Sequence, residues 1–121
     1  MAANDFMEDA LKTYAFNMPE AYVVHGDITS ESVKSQLVKV SRERGVNMII
    51  GGPPCQGFSN KGKKLGLKDP RNFLFREYLE LVKELQPEVF VIENVKAMST
   101  STSGWFMNEI LTTIGSYGYQ V

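Results

Sequence analysis

The chain has 121 residues, a formal net charge of -1, 43% hydrophobic and 22% charged residues, and a single cysteine and a single histidine. This is the profile of one ordinary folded domain, long enough for a real core and too short for a second domain. The lone Cys55 excludes an intramolecular disulfide framework, the scarcity of Cys and His argues against a metal site, and no apolar run or amino-terminal segment suits membrane insertion or export.

Along the chain, Phe6, Met7, Ala10, Leu11 and Tyr14 recur with helical spacing and predict a helix from about 5 to 16, ended by Pro19. Tyr22 to His25 is a short β-favouring run that stops at the turn Gly26-Asp27. Thr29 or Ser30 then caps a helix with Val33, Leu37 and Val40 on its apolar stripe and Gly45 as its stop. A buried strand is expected over 46–50. The segment from Gly51 to Pro70 holds five glycines and three prolines in 20 residues and reads as a long functional loop. From Arg71, the stripe Leu74, Tyr78, Leu81, Val82 and Leu85 predicts a helix that ends before Pro87. Val89 to Ile92 is a strand running into Glu93-Asn94. Met107, Ile110, Leu111 and Ile114 mark a last helix with Gly115 at its end, and Tyr117 to Val121 reads as the start of a strand. Helices alternating with short apolar strands imply an α/β fold, a mostly parallel sheet with helices on both faces. Ligands in such sheets bind beyond the carboxyl ends of the strands, where Gly26-Asp27, Gly51 to Ser59 and Glu93-Asn94 fall.

Those ends carry the candidate chemistry. Cys55 sits in Gly-Gly-Pro-Pro-Cys-Gln-Gly-Phe-Ser directly after a strand, where nearby backbone N-H groups favour a nucleophilic thiolate; the alternative is a buried cysteine acting as a small hydrophobe. Glu93, 38 positions later, is either an acid with a raised pKa in a partly dry cleft or, with Asn94, a pair that bonds loop backbone. Asp5 and Asp27 either accept hydrogen bonds from a nucleoside or serve only as helix-cap and turn residues. His25 reads as a packed strand residue rather than a base. Neither GxGxxG nor GxxxxGK[ST] occurs, so a phosphate cradle has no support. The loop also holds Lys61, Lys63, Lys64, Lys68 and Arg71 against Asp69 alone, a basic stretch that either clamps a phosphate backbone or is solvated surface.

Together these residues resemble the DNA (cytosine-5) methyltransferase family. Pro54-Cys55-Gln56 is similar to its nucleophile loop and Glu93-Asn94-Val95 to its second catalytic motif, and Gly26-Asp27-Ile28 and Arg71-Asn72-Phe73-Leu74-Phe75 match in order and spacing, so that the resemblance runs from about Ala3 to Val121. It implies a Rossmann-like S-adenosylmethionine-dependent methyltransferase fold. It also implies that Cys55 adds to C6 of a cytosine flipped out of double-stranded DNA while Glu93 contacts N3 and the exocyclic amine. C5 then takes the methyl group of S-adenosylmethionine, and elimination frees Cys55. By the same resemblance Asp5 binds the cofactor ribose, Phe6 packs on its adenine, Asp27 and Ile28 contact the adenine edge, and Pro54 and Leu74 line that pocket. Pro54, Gln56, Ser59, Lys61, Lys63, Lys64 and Asn94 fall on the substrate and DNA side, with 57–70 as a mobile flap. A cytoplasmic or nucleoid-associated protein is implied.

The family's Phe-x-Gly-x-Gly turn, its Gln-x-Arg-x-Arg motif, its target recognition domain and its final helix have no counterpart in these residues. The expectation is therefore a partial catalytic domain over 1–121, with the family's central first strand missing. It would be a fragment or truncated form inactive alone, or one chain of a split enzyme whose second chain supplies the missing parts. A non-catalytic nucleic-acid-binding remnant is the alternative of a different class, and a cysteine hydrolase lacks a well-placed base.

Overall fold

A computed structural model describes residues 1–54, 72–93 and 105–121. In chain order the elements are β1 (Ala2–Asp5), α1 (Glu8–Asn17), β2 (Tyr22–His25), α2 (Glu31–Glu43), β3 (Met48–Gly51), α3 (Phe73–Leu85), β4 (Val89–Ile92) and α4 (Trp105–Ser116). Among the described residues the strands form two two-stranded sheets, β1 with β2 and β3 with β4. The chain divides into two compact units, Met1–Ile49 with Glu84–Phe90, and Ile50–Lys83 with Val91–Val121. Among the described residues, no helix is long and apolar enough to cross a membrane and no group of three His, Cys, Asp or Glu side chains is placed to hold a metal ion.

In the first unit β1 and β2 run parallel in the register Ala2↔Tyr22 to Asp5↔His25, with Val24 in the core. The sequence reading starts a helix at about residue 5, whereas residues 2 to 5 are a strand and the helix begins at Glu8. Ala-Ala-Asn-Asp has no β-branched or aromatic residue, so its extended state comes from pairing with β2 and not from its own propensity. Phe6 and Met7 precede α1 and are exposed, leaving Leu11 as the buried residue of that helix. The helix α2 buries Val40 and ends in a paired-carbonyl cap: Val46 N–H donates to Ser41 O at 2.9 Å and Gly45 N–H to Arg42 O at 3.1 Å. Gly45, at φ +60°, is the left-handed residue this cap requires, as its position in the sequence predicts. At the other end Ser30 is the N-cap residue but makes no side-chain capping bond.

The β3–β4 ribbon is bracketed by Val89 N–H to Asn47 O at 3.2 Å and Glu93 N–H to Gly51 O at 2.9 Å. Both bonds join positions at the same offset, so these strands are also parallel. Burial alternates along both: Met48, Ile50, Val89 and Val91 are exposed and the residues between them are half-buried. The continuous apolar runs predict strands covered on both faces, and the observed alternation covers only one.

In the second unit α3 buries Phe75, Tyr78, Leu79 and Val82. The predicted stripe through Leu74, Leu81 and Leu85 is thus rotated, because Phe75 and Leu79 take the innermost positions while Leu74, Leu81 and Leu85 are half-buried. The helix ends where Gln86 takes φ +47° ahead of Pro87, a residue that cannot continue a helix. In α4, Ile110 and Ile114 are buried as the stripe predicts. Tyr117 to Val121 is no strand: Tyr117 and Gly118 N–H fold back on Ile114 O and Gly115 O at 3.0 Å, with Gly118 at φ +92°. An extended segment needs a ladder partner, and these residues instead satisfy their amides on the last turn of α4.

Candidate functional site

At the carboxyl ends of β1 and β2 the chain places two aspartates on neighbouring strands. Gly26 N–H donates to Asp5 O at 3.1 Å, which extends the ladder one step past the last strand pair. Asp5 Oδ1 then accepts the Met7 N–H at 2.8 Å and opens the turn into α1. Asp27 Oδ1 accepts both the Thr29 N–H at 2.9 Å and the Thr29 hydroxyl at 2.8 Å. These two bonds hold the Asp27 carboxyl below its usual pKa of 3.8, the backbone bond contributing most. Both aspartates therefore do serve as turn residues. Each nevertheless commits only Oδ1, and Oδ2 of each takes no hydrogen bond among the described residues.

Phe6, one residue beyond Asp5, is 73% exposed and offers an aromatic face beside these carboxylates. Its carbonyl lies 3.1 Å from His25 Nε2. His25 is exposed, so it is not the packed strand residue expected from its apolar neighbours; its ring ties the end of β2 to the Phe6 backbone. Ile28, half-buried, follows Asp27 in the same turn. The turn itself depends on Gly26, at φ +140°, where a Cβ would fall 2.7 Å from Val33 Cγ2. Asn4 was not singled out by the sequence. Its side-chain amide donates to Val24 O at 2.9 Å and Gly26 O at 3.0 Å. The available signal was an asparagine in a segment that pairs as a strand, where the residue type is disfavoured unless its side chain has polar work to do.

The ends of β3 and β4 form the second cluster. Glu93 is exposed, and its Oε2 lies 2.9 Å from where a Cβ on Gly52 would stand. Only glycine at 52 leaves the carboxylate that position. Gly51 is equally constrained, because a Cβ there would come within 2.6 Å of the Tyr78 ring. The Tyr78 hydroxyl donates to Val91 O at 2.9 Å, and burial pushes its pKa up to about 12. Tyr78 thus bonds to one strand end and packs on the other, a role its place in a helical stripe does not announce. Pro53 is buried, Pro54 exposed, and Leu74 half-buried in the first turn of α3. Cys55, Gln56, Ser59, Lys61, Lys63, Lys64 and Asn94 lie outside the described residues.

The structure therefore brings Asp5, Phe6, Asp27 and Ile28 together in one unit, and Gly52, Pro54 and Glu93 at the strand ends of the other. A free carboxylate oxygen on each of two adjacent strand ends suits hydroxyl and amine donors, and the bare Phe6 ring suits a flat heterocycle.

The chain is 38% identical over 119 residues to the Type II methyltransferase M.BspRI of Lysinibacillus sphaericus, matching 98% of this chain and 26% of that protein. With the Type II methyltransferase M.AquIA of Picosynechococcus sp. it shares 43% identity over 102 residues, 83% of this chain and 41% of the relative. A solved E. coli structure, described as a DNA modification methyltransferase encoded within a prophage, superposes with a TM-score of 0.67 at 29% identity, over 95% of this chain and 31% of the other. The chain thus spans between about a quarter and two-fifths of the length of these proteins. Its fold, like that of the E. coli structure over the matched part, is a partial Rossmann-like α/β fold. The family model for C-5 cytosine-specific DNA methylase matches residues 1–121 in full, and the chain belongs to that family.

Proposed function

We propose that the protein methylates C5 of cytosine in duplex DNA with S-adenosylmethionine, through a covalent bond between Cys55 and the base. The observation that carries this reading is the approach of Glu93 Oε2 to Gly52, three residues before Cys55. Two parallel strand ends thereby bring a carboxylate to the root of the cysteine segment, as a cytosine held at one edge and attacked at C6 requires.

Asp5, Asp27 and Phe6 fit S-adenosylmethionine: two uncommitted carboxylate oxygens can accept from ribose hydroxyls and the adenine amine, and an exposed ring can stack on the base. When bound, this cofactor supplies an electrophilic methyl group. Ile28, half-buried in the turn after Asp27, contributes apolar surface beside the two carboxylates, and the family resemblance also assigns Pro54 and Leu74 to cofactor binding. Cys55 Sγ, as thiolate, forms a bond to C6, and the Glu93 carboxyl holds N3 and the exocyclic amine so that charge developing on the ring meets a hydrogen-bond partner. Loss of the C5 proton and expulsion of the Cys55 thiolate restore the ring. The base must leave the stack for Cys55 to reach it. Gln56, Ser59 and Asn94 line the substrate side, and Lys61, Lys63 and Lys64 meet phosphates in a salt-dependent way. Duplex DNA as substrate places the protein in the cytoplasm or at the nucleoid.

We further propose that turnover needs polypeptide beyond these 121 residues, in the same chain or on a second one. The support is the short span of its relatives that the chain covers. A duplex carrying 5-fluorocytosine at the target tests the chemistry, because fluorine on C5 blocks the elimination step. Supplied with that further polypeptide, the protein is expected to form a denaturant-stable adduct with it in the presence of cofactor, and Cys55→Ser to form none. Salt-sensitive DNA binding with no adduct, unchanged by Cys55→Ser, would instead establish a binding remnant.

A further inference from the structure

We infer that Asn4 is a positioning residue for the cofactor site, its side-chain amide fixing the Gly26–Asp27 peptide and thereby the Asp27 carboxylate relative to Asp5. This rests on the S-adenosylmethionine reading of the two aspartates.

In a parallel pair, successive N–H and C=O groups alternate partners along the neighbouring strand. Tyr22 N–H donates to Met1 O at 3.0 Å and Gly26 N–H to Asp5 O at 3.1 Å, so the next acceptor along β2 is Gly26 O and its donor in register is Met7 N–H. That donor is diverted: Met7 N–H bonds Asp5 Oδ1 as the chain turns into α1. The same carboxylate geometry that opens α1 therefore leaves Gly26 O without its ladder donor. Asn4 supplies the replacement, its Nδ2 lying 3.0 Å from Gly26 O and 2.9 Å from Val24 O, so that both amide hydrogens have an acceptor.

The position of this bond gives it a role beyond satisfying a carbonyl. Gly26 O belongs to the peptide that leads directly into Asp27, and Gly26 itself, at φ +140°, has the conformational freedom that would let that peptide rotate. Held by Asn4, the peptide plane fixes where the Asp27 side chain starts. From there the Thr29 bonds fix Oδ1 and so direct Oδ2. Asn4 is also the residue before Asp5, so a single side chain ties together the strand ends that carry both carboxylates. Alanine provides no donor. Aspartate keeps the shape but presents oxygens to two carbonyls and cannot bridge them.

The test measures binding of S-adenosylhomocysteine to the whole protein by calorimetry, for the wild type, Asn4→Ala, Asn4→Asp, Asp5→Ala, Asp27→Ala and the double variant Asn4→Ala/Asp27→Ala. Asn4→Ala and Asn4→Asp are expected to weaken binding roughly tenfold, the order of one or two lost hydrogen bonds. In the Asp27→Ala background Asn4→Ala is expected to cost less than about twofold, because its effect runs through Asp27. A residue that only stabilised the fold would weaken binding by the same factor in both backgrounds. If Asn4→Ala unfolds the protein, Asn4→Ser, which retains one donor, serves in its place with an intermediate loss expected. Weakened binding in both aspartate variants with unchanged binding in the Asn4 variants, or equal Asn4 losses in both backgrounds, overturns the positioning role alone. Wild-type affinity in Asp5→Ala and Asp27→Ala overturns the cofactor reading itself, and the inference with it.

Discussion

Replacing Gly51 by alanine tests the packing that holds the strand ends of the candidate site. The new Cβ would stand 2.6 Å from Tyr78 Cε2 and 2.8 Å from Tyr78 Cδ2. Carbon atoms rest at about 3.5 to 4.0 Å, so ring and strand must part by roughly 1 Å. Tyr78 has little room to yield, being 8% exposed with its hydroxyl committed to Val91 O at 2.9 Å. A retreat of that size carries the bond past the limit of a useful hydrogen bond. Overpacking costs about 1 to 3 kcal/mol and the loss of the part-buried Tyr78 hydrogen bond about 0.5 to 1 kcal/mol more, so Gly51→Ala is expected to destabilise by about 1.5 to 4 kcal/mol. Urea unfolding followed by far-ultraviolet circular dichroism reads this as a lower midpoint at unchanged slope. The informative comparison is Tyr78→Ala. That change alone costs about 3 to 5 kcal/mol, but with the ring gone the further change at Gly51 should cost less than about 1 kcal/mol. Equal costs in the two backgrounds, or a Gly51→Ala protein within about 0.5 kcal/mol of wild type, would refute the proposed contact.

Tyr78 should ionise well above the ordinary tyrosine value of 10, with its pKa pushed up to about 12 by burial. Because the folded value lies above the ordinary 10, its contribution to stability is complete below pH 10 and is lost as pH rises toward 12; absorbance titration should lose a phase at about pH 12 in Tyr78→Phe. Asp27 works in the opposite sense: the Thr29 bonds depress its pKa, so its contribution is present above pH 3.8 and disappears as pH falls through the folded value. Unfolding measured between pH 2 and 5 should show a shallower acid loss in Asp27→Asn. Gly115, inside α4 with nothing within 4 Å of a built Cβ, should accept alanine with a gain of about 0.5 to 1 kcal/mol in thermal or urea unfolding.

The elements legible in the sequence are those whose own residues select them. β4 is found at Val89–Ile92 because four consecutive β-favouring residues are bounded by Pro87 and Glu93, and α2 stops at Gly45 because the cap needs a left-handed residue there. β1 is the opposite case, a strand of Ala, Asn and Asp whose extended state is imposed by β2. The tail after Tyr117 fails for the matching reason: its β-favouring residues meet no ladder and fold back on α4. Among candidate site residues, Asp27 and Glu93 are legible because acidic residues just after apolar runs fall at strand ends, whereas Asp5 is legible only as the residue that opens a helical pattern. Asn4 and Tyr78 are not, since each acts through a carbonyl far along the chain that no local pattern reveals.

The glycines explain how strand ends become sites. At Gly26, Gly51 and Gly52 a Cβ would come within 3.0 Å of a side chain, respectively Val33, Tyr78 and Glu93. In the first two cases the intruding group belongs to the helix behind the strand, and its close approach pins the strand end from below. At Gly52 the group is the candidate acid itself, and the missing side chain is what gives that acid a place beside the segment leading to Cys55. A β-branched residue at Gly51 would favour the strand locally but force it away from Tyr78, and at Gly26, with φ +140°, any side chain is strained as well. Local strand propensity is therefore sacrificed at the positions next to the proposed chemistry, and the tolerance of Gly115, which faces nothing, marks the difference between a glycine kept for close approach and one that is not.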